Sequence, residues 1–173
     1  MRAALALTLA LLAAPQAHSM TGVVTHVSDG DTIWVRPDDA PPQRKPLKLR
    51  LVGIDAPERC QPGGAEATAA LKARVLHRHV AVPTHGVDVH GRVLGGLFLD
   101  DGSDVAAWMV ESGHAWSARW RGRPGPYAAQ EQAARERGAG LFADARALEP
   151  SRFRKAHGPC DAPARLRSSS SSD

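Results

Sequence analysis

The sequence predicts a small, mainly β domain in which five strands close into a barrel and three α-helices pack around it. Five segments have the composition of strands, and three others carry helical periodicity or capping signals. The chain of 173 residues is long enough for one domain with a core of its own. Five antiparallel strands in so short a chain favour a closed barrel, because an open sheet would leave its edges bare.

The strands follow from β-branched and alternating segments. Residues 21–26 and 32–36 are β-branched and flank the turn sequence Ser28-Asp29-Gly30, which predicts a hairpin. Residues 47–54 alternate leucines with more polar side chains and predict a third strand, with Arg50 on the face opposite the leucines. Residues 79–83 and 92–99 are expected to form the last two strands.

The helices follow from glycines, prolines and an N-cap. Helix-forming residues follow Gly63-Gly64 and predict a helix over 65–77, and Asp104 caps a second helix over 105–111. Pro126 starts a third helix over 127–137. We expect one domain over residues 20–149. Residues 150–173 are expected to be a basic, irregular segment that ends in a disordered Ser-rich tail.

Residues 1–19 have the anatomy of a secretory signal peptide. Arg2 precedes a run of Ala and Leu over 3–14, and Ala17-His18-Ser19 offers small residues for cleavage after Ser19. The alternative is a membrane helix, but spanning a bilayer takes ~20 apolar residues. The sequence therefore predicts a secreted or periplasmic protein whose mature form has no membrane segment.

Charge and cysteine content fit an exported protein with an acidic partner. The formal net charge is +4 and the pI is about 9.6, which suits a polyanion but is weak support alone. The two cysteines, Cys60 and Cys160, are an even number in an exported chain and favour a disulfide over two free thiols.

Two aspartates stand where side chains can converge on one rim of a barrel. Asp31 belongs to the hairpin, and Asp55 directly follows the third strand. Their carboxylates, with the backbone carbonyl of Ala56 and water, form a hard oxygen set that suits calcium better than zinc. Taken singly, each motif could equally be a plain turn or loop.

Two arginines and a glutamate complete the candidate site. Arg50 and Arg92 could hold a phosphodiester through their guanidinium forks and offset the charge that develops on its oxygens. Glu58 could orient an attacking water and accept its proton. The alternative for each is a solvated or paired surface residue, and the combination is more specific than its parts.

Three segments, taken in order, resemble the staphylococcal nuclease (thermonuclease) family. They are residues 24–32 (VTHVSDGDT), 49–58 (LRLVGIDAPE) and 88–92 (DVHGR), and the resemblance runs from about Thr21 to Phe142. It implies an OB-fold, a five-stranded barrel with three helices. It also implies a calcium-dependent endonuclease that cuts DNA and RNA and leaves 3′-phosphates and 5′-hydroxyls.

The resemblance also implies a role for each site residue. Asp31, Asp55 and the carbonyl of residue 56 match the calcium ligands. Arg50 and Arg92 match the phosphate-binding arginines, and Glu58 matches the carboxylate that activates water.

The chain departs from the family pattern around the substrate. Ala56 replaces the usual threonine, and His90 stands where familiar members carry a nucleotide-contacting tyrosine. The paired tyrosines of the base-binding wall are absent, and Trp120 is either a stacking surface for a base or part of the core.

Two other functions are compatible with parts of this pattern. A binding module of the same fold would hold nucleic acid without cutting it, but it would need no water-activating Glu58. A calcium-binding domain unrelated to nucleic acid would leave Arg50 and Arg92 without a role. We therefore expect a nuclease with nucleic acid as its partner, acting as a monomer.

Overall fold

The computed structural model describes residues 19–158 and residue 160. The predicted signal peptide, apart from Ser19, and the Ser-rich tail lie outside these residues. The strands are β1 (Ser19–Asp29), β2 (Thr32–Pro37), β3 (Leu47–Leu51), β4 (Ile54–Asp55), β5 (His79–Val87), β6 (Val93–Gly95), β7 (Phe98–Leu99) and β8 (Trp116–Ser117). The helices are α1 (Gly64–Val75), α2 (Val105–Glu111), α3 (Ala128–Glu136) and α4 (Pro150–His157), with a 3₁₀ turn at Gly140–Ala143.

Five strands close into the expected barrel. Hydrogen bonds join them in the order β1-β2-β3-β6-β5, and a further β1–β5 pairing closes the ring. The expectation of purely antiparallel pairing is wrong, because β3 and β6 are parallel. A closed ring with an odd number of strands cannot alternate direction all the way round, so one parallel pair is unavoidable. The closed, mainly β barrel with helices is the OB-fold that the sequence predicts.

The barrel interior and α1 share one hydrophobic core. Leu49 and Leu51 of β3 are almost fully buried, and Arg50 between them is partly exposed, as the alternation predicts. Helix α1 buries Leu71 and Val75 in the same core. Burying a Leu or Val side chain contributes roughly 1.5–3 kcal/mol. This packing fixes β3, and with it Arg50, against the rest of the barrel.

The predicted third strand is interrupted. β3 ends at Leu51, and Gly53 adopts a φ of 79°, a left-handed conformation that glycine reaches without strain. The chain then turns out of the barrel, and β4 pairs with β8 in a separate two-stranded sheet. This turn places Asp55 outside the barrel sheet, where its carboxylate pairs with Arg50 of β3.

The expectation of irregular structure after Pro150 is also wrong. Pro150 is the first residue of α4, its fixed φ suits that position, and Gly158 follows the helix end. Phe153 is 9% exposed and packs the helix onto the domain. No helix in the described part of the chain is long and apolar enough to cross a membrane.

Candidate active site

An acidic and basic cleft lies at the barrel rim, between the β1–β2 hairpin and the loop after β4. Its volume is about 290 Å³. It is lined by Asp29, Asp31, Thr32, Arg50, Ala56, Pro57, Glu58, Arg92 and Arg154. The structure thus brings five of the six residues predicted as catalytic groups or metal ligands to the lining of one cleft. Asp55, the sixth, is connected to them through its ion pairs with Arg50 and Arg154.

Asp31 is the most buried acid of the cleft. Its residue is 7% exposed, and its Oδ2 accepts a hydrogen bond from the backbone N–H of Ala56 at 3.0 Å and forms an ion pair with Arg50 Nη1 at 2.8 Å. Burial raises the pKa of the Asp31 carboxyl, and the opposing effect of Arg50 does not restore the usual value. The site therefore carries a buried carboxylate that one guanidinium does not fully stabilise.

Glycine allows the hairpin to approach the Asp55 loop this closely. A Cβ on Gly30 would lie 2.7 Å from the Cβ of Ala56 and 2.9 Å from the Cβ of Ala67, so no larger residue fits. The N–H of Ala56 can consequently reach Asp31. Ala56, at the position predicted to offer a carbonyl ligand, is 4% exposed and packs directly under the hairpin.

Arg50 connects the two aspartates. Its Nη1 forms an ion pair with Asp31 Oδ2 at 2.8 Å, and its Nη2 donates to Asp55 Oδ1 at 3.3 Å. Backbone carbonyls of Leu51 and Ile54 accept from the same Nη1 at 2.9 and 3.1 Å. The guanidinium is therefore fixed by three hydrogen-bond acceptors and by its ion pair with Asp31, and it lies in contact with both carboxylates.

The loop that carries Glu58 is held at its base. Gln61 is 5% exposed. Its side-chain Oε1 accepts from the backbone N–H of Glu58 at 3.2 Å, and its backbone N–H donates to the backbone carbonyl of Glu58 at 2.8 Å. A Cβ on Gly64 would collide with that carbonyl, so glycine is required where α1 begins. Sequence reasoning missed Gln61, and its only signal is a polar residue close after Glu58.

Arg92 enters the cleft in a fixed orientation. Its Nε donates to Asp88 Oδ2 at 2.8 Å, and its backbone N–H donates to Asp88 Oδ1 at 2.9 Å. Desolvation alone would raise the pKa of the Asp88 carboxyl, but the hydrogen bonds from Arg92 and from the backbone N–H of His90 outweigh it and lower that pKa to about 2. Asp88 thus stays ionised and leaves the outer nitrogens of Arg92 for another anion.

Arg154 is a cleft residue that sequence reasoning did not identify. It lies on α4, and its Nη1 donates to Glu58 Oε1 at 2.7 Å. It also forms a fork with Asp55, with Nη1 to Oδ1 at 3.2 Å and Nη2 to Oδ2 at 3.1 Å. The helix signals of Pro150 and Gly158 could have placed α4, but nothing in the sequence links position 154 to position 55.

The acids of the cleft fit a hard divalent cation completed by water. Asp31 and Asp55 supply carboxylate oxygens, the ligand type that calcium prefers, and the burial of Asp31 leaves a charge that a cation would offset. Residues 19–158 and 160 contain no group of three or more His, Cys, Asp or Glu side chains that could hold a metal by themselves. A cation bound in the cleft would therefore need backbone carbonyl and water ligands as well.

The predicted base-binding residues lie outside this cleft. His90 is exposed, and only its backbone N–H bonds to Asp88. Trp120 is 73% exposed, which excludes the core alternative, and Arg121 stacks on its ring at 5.6 Å. A larger cavity of about 850 Å³, lined in part by Trp116, Leu141 and Phe153, contains none of the predicted catalytic residues.

The two cysteines are bonded to each other, as predicted. The bond joins Cys60, two residues after Glu58, to Cys160, which follows α4. The chain segment beyond the expected domain is therefore attached covalently to the loop that carries Glu58.

Comparison with known proteins agrees with this geometry. A family model described as staphylococcal nuclease homologue matches residues 48–144. This chain belongs to the staphylococcal nuclease family. "Protein ParB" of Escherichia coli is 37% identical over 165 residues, with 90% of each chain covered. "Micrococcal nuclease" of Shigella flexneri is 32% identical over 167 residues, with 90% of this chain and 92% of that protein covered.

A third relative, an "uncharacterized endonuclease" of Escherichia coli, is 36% identical over 129 residues and covers 75% of this chain. The matched family segment includes Arg50, Asp55, Glu58 and Arg92 but begins after Asp31. In the structure, the β1–β2 hairpin brings Asp31 into the cleft beside the residues of the matched segment. Within the staphylococcal nuclease family, this chain is therefore a hydrolytic endonuclease with its acids and arginines gathered in one cleft.

Proposed function

We propose that this nuclease is exported and calcium-dependent, and that it hydrolyses DNA and RNA to products with 3′-phosphates and 5′-hydroxyls. One observation carries the proposal: Arg50 draws Asp31 and Asp55 together at a rim where Glu58 and Arg92 also line the cleft. Export rests on the signal-peptide pattern of residues 1–19 and agrees with the disulfide, because such bonds persist in oxidising compartments.

The side chains divide the reaction between them. Arg92, fixed through its Nε, directs its outer guanidinium nitrogens to a phosphate oxygen of the substrate. Within the described part of the chain, Glu58 accepts a hydrogen bond at Oε1 and none at Oε2, so Oε2 can take a proton from water as the water oxygen attacks phosphorus. The bond from phosphorus to the 5′ oxygen breaks, and that oxygen acquires a proton from solvent.

Asp31 and Asp55 would hold the calcium ion, with the Ala56 carbonyl as a further ligand. Bound there, calcium would supply electrostatic stabilisation of the charge that develops on the phosphoryl oxygens. Arg50 adds a permanent positive charge beside the same position. Substrate selection among nucleic acids would fall to exposed groups such as Trp120, whose ring is available for stacking on a base.

Cleavage of a defined oligonucleotide tests the proposal. Purified residues 20–173 are incubated with 5′-labelled single-stranded DNA or RNA in calcium or in chelator, and the fragment ends are treated with a 3′-phosphatase. We expect cleavage in calcium alone, fragments that shift after phosphatase, and a loss of at least ~10²-fold in Glu58→Gln.

Arg146→Ala is the matched control, because the Arg146 side chain is 92% exposed and pairs with Asp144 away from the cleft. Equal activity in chelator would reject the calcium dependence. Fragments that the phosphatase does not alter would reject the proposed bond cleavage.

A further inference from the structure

The C-terminal helix α4 inserts a third arginine into the cleft. Arg154 lies 99 residues after Asp55 and 96 residues after Glu58 in the chain, yet its guanidinium contacts both carboxylates. No element of the predicted domain over 20–149 contributes this residue. A helix that follows the barrel therefore contacts the carboxylate of Glu58, the proposed proton acceptor.

Arg154 is the only donor to the Glu58 carboxylate among the hydrogen bonds of residues 19–158 and 160. The bond from Nη1 to Oε1 is 2.7 Å long, within the range of charge-assisted hydrogen bonds. The same guanidinium is anchored on both oxygens of Asp55. Gln61 bonds to the backbone of Glu58, whereas Arg154 is the residue that bonds to its carboxylate and so orients the side chain.

Helix α4 is itself fixed at both ends. Glu149, just before the helix, pairs with Arg119 at 3.0 Å, and Phe153 is buried against the domain. After the helix, Cys160 is bonded to Cys60. Arg154 is therefore held on a short helix with little freedom to leave its partners.

We propose that Arg154 is a positioning residue of the nuclease reaction, which holds Glu58 with Oε1 occupied and Oε2 free for the attacking water. The inference rests on the proposed function. Its effect is geometric: a carboxylate that rotates freely spends little time aligned with the water, and misplacement by about 1 Å can cost ~10²-fold in rate.

Through the same contacts, Arg154 would compete with a calcium ion for the carboxylate of Asp55. A guanidinium forked onto Asp55 shares that carboxylate with the ion, and the two positive charges repel each other. Removing Arg154 should therefore tighten calcium binding while it slows the reaction. Removing a merely structural residue would weaken calcium binding and slow the reaction, whereas removing an autoinhibitory residue would speed the reaction.

The test measures the two quantities separately in the full chain with its disulfide intact. The variants are Arg154→Ala, Arg154→Lys and, as a control on the same helix, Arg152→Ala, whose residue is exposed. Calcium affinity is measured by titration calorimetry without nucleic acid. The rate is measured as single-turnover cleavage of a DNA oligonucleotide at saturating calcium and substrate, with and without millimolar guanidinium chloride.

We expect Arg154→Ala to lose about 10²-fold in single-turnover rate and to bind calcium roughly three- to tenfold more tightly. Arg154→Lys should lose roughly tenfold, since an ammonium keeps the charge but cannot fork between two carboxylates. Guanidinium should restore part of the Arg154→Ala rate and leave Arg152→Ala unchanged.

A rate for Arg154→Ala equal to wild type, or faster, would overturn the inference, and a faster rate would make Arg154 an inhibitory contact. Weaker calcium binding together with a slow, unrescued rate would overturn it in favour of a structural role. Absence of cleavage by the wild-type protein would instead remove the proposed function, and with it this inference.

Discussion

At the scale of single residues, the charge of Asp31 in the cleft lowers the stability of the calcium-free protein. Asp31 is almost fully buried, and among the described residues it forms an ion pair with one cationic side chain, Arg50. A charge in such a position is costly unless it is well compensated. The residue is therefore expected to destabilise the protein without calcium and to stabilise it when calcium is bound.

Asp31→Asn should raise the stability of the calcium-free protein at neutral pH by roughly 1–3 kcal/mol, because an amide removes the buried charge but can still accept from the N–H of Ala56. Urea unfolding in chelator, followed by tryptophan fluorescence, measures the difference. Calcium at 100 times its dissociation constant should add about 2.7 kcal/mol to wild type and little to Asp31→Asn.

The advantage of Asp31→Asn should depend on pH with a definite sign. Burial raises the pKa of Asp31 from 3.8 to about 7, so the unfolded chain releases its proton at lower pH than the native one. The wild-type protein therefore loses stability relative to the variant as pH rises from 3.8 to about 7, and the two converge below pH 3.8. A difference that stays constant from pH 3 to 8 would contradict this account.

At the scale of elements, α4 and its disulfide connect the end of the chain to the loop of Glu58. The bond closes a segment of 100 residues. The entropic model assigns roughly 4–5 kcal/mol to a loop of that length, and measured values are often lower. The bond is therefore expected to contribute to stability as well as to the position of Arg154.

The double variant Cys60→Ser/Cys160→Ser should lose about 2–4 kcal/mol of unfolding free energy and part of the single-turnover rate, because α4 can then release Arg154. Adding Arg154→Ala to the double variant should cost little more, since both changes act on the same contact. Urea unfolding and cleavage rates of the four proteins measure this cycle. Fully additive rate losses would contradict this prediction, because they would show that the disulfide affects the rate independently of Arg154.

The elements also show which parts of the structure the sequence could predict. The hairpin, α1, α2, α3 and the strand with Arg50 follow from local signals such as alternation and the Asp104 cap, whose Oδ1 accepts from Ala106 and Ala107 as predicted. The turn at Gly53 was missed because a left-handed glycine in an alternating segment gives no signal until β8 is available to pair with β4.

The candidate site divides in the same way. Asp31, Arg50, Asp55, Glu58 and Arg92 could be predicted because they belong to short sequence motifs in or next to the hairpin, β3, β4 and β6. Arg154 and Gln61 could not be predicted, because their roles come from tertiary contacts: position 154 meets position 55 only after α4 has packed through Phe153. No local sequence pattern indicates a contact between residues so far apart in the chain.

At the scale of the whole molecule, a basic protein surrounds a cleft that contains several acids. The chain has 22 Lys and Arg against 18 Asp and Glu. Lys155 of α4, the residue after Arg154, is exposed and adds positive charge close to the cleft. The positive electrostatic field of such a protein raises the local concentration of a polyanion. Salt screens this field beyond ~10 Å at 0.1 M.

Cleavage of long nucleic acid should therefore weaken with salt more steeply than cleavage of a short substrate. For a single-stranded 20-mer, log kcat/KM should fall linearly with log salt concentration, with a slope of about −0.7 for each phosphate that the protein neutralises. A dinucleotide substrate reaches only the cleft, so its slope should be smaller by the contribution of the surrounding basic surface. Both slopes are measured at fixed free calcium between 50 and 300 mM potassium chloride, with kcat recorded separately to detect any loss of the calcium ion. Identical slopes for the two substrates would mean that the basic surface outside the cleft does not bind nucleic acid, and that Arg50, Arg92 and Arg154 account for all of the electrostatic attraction.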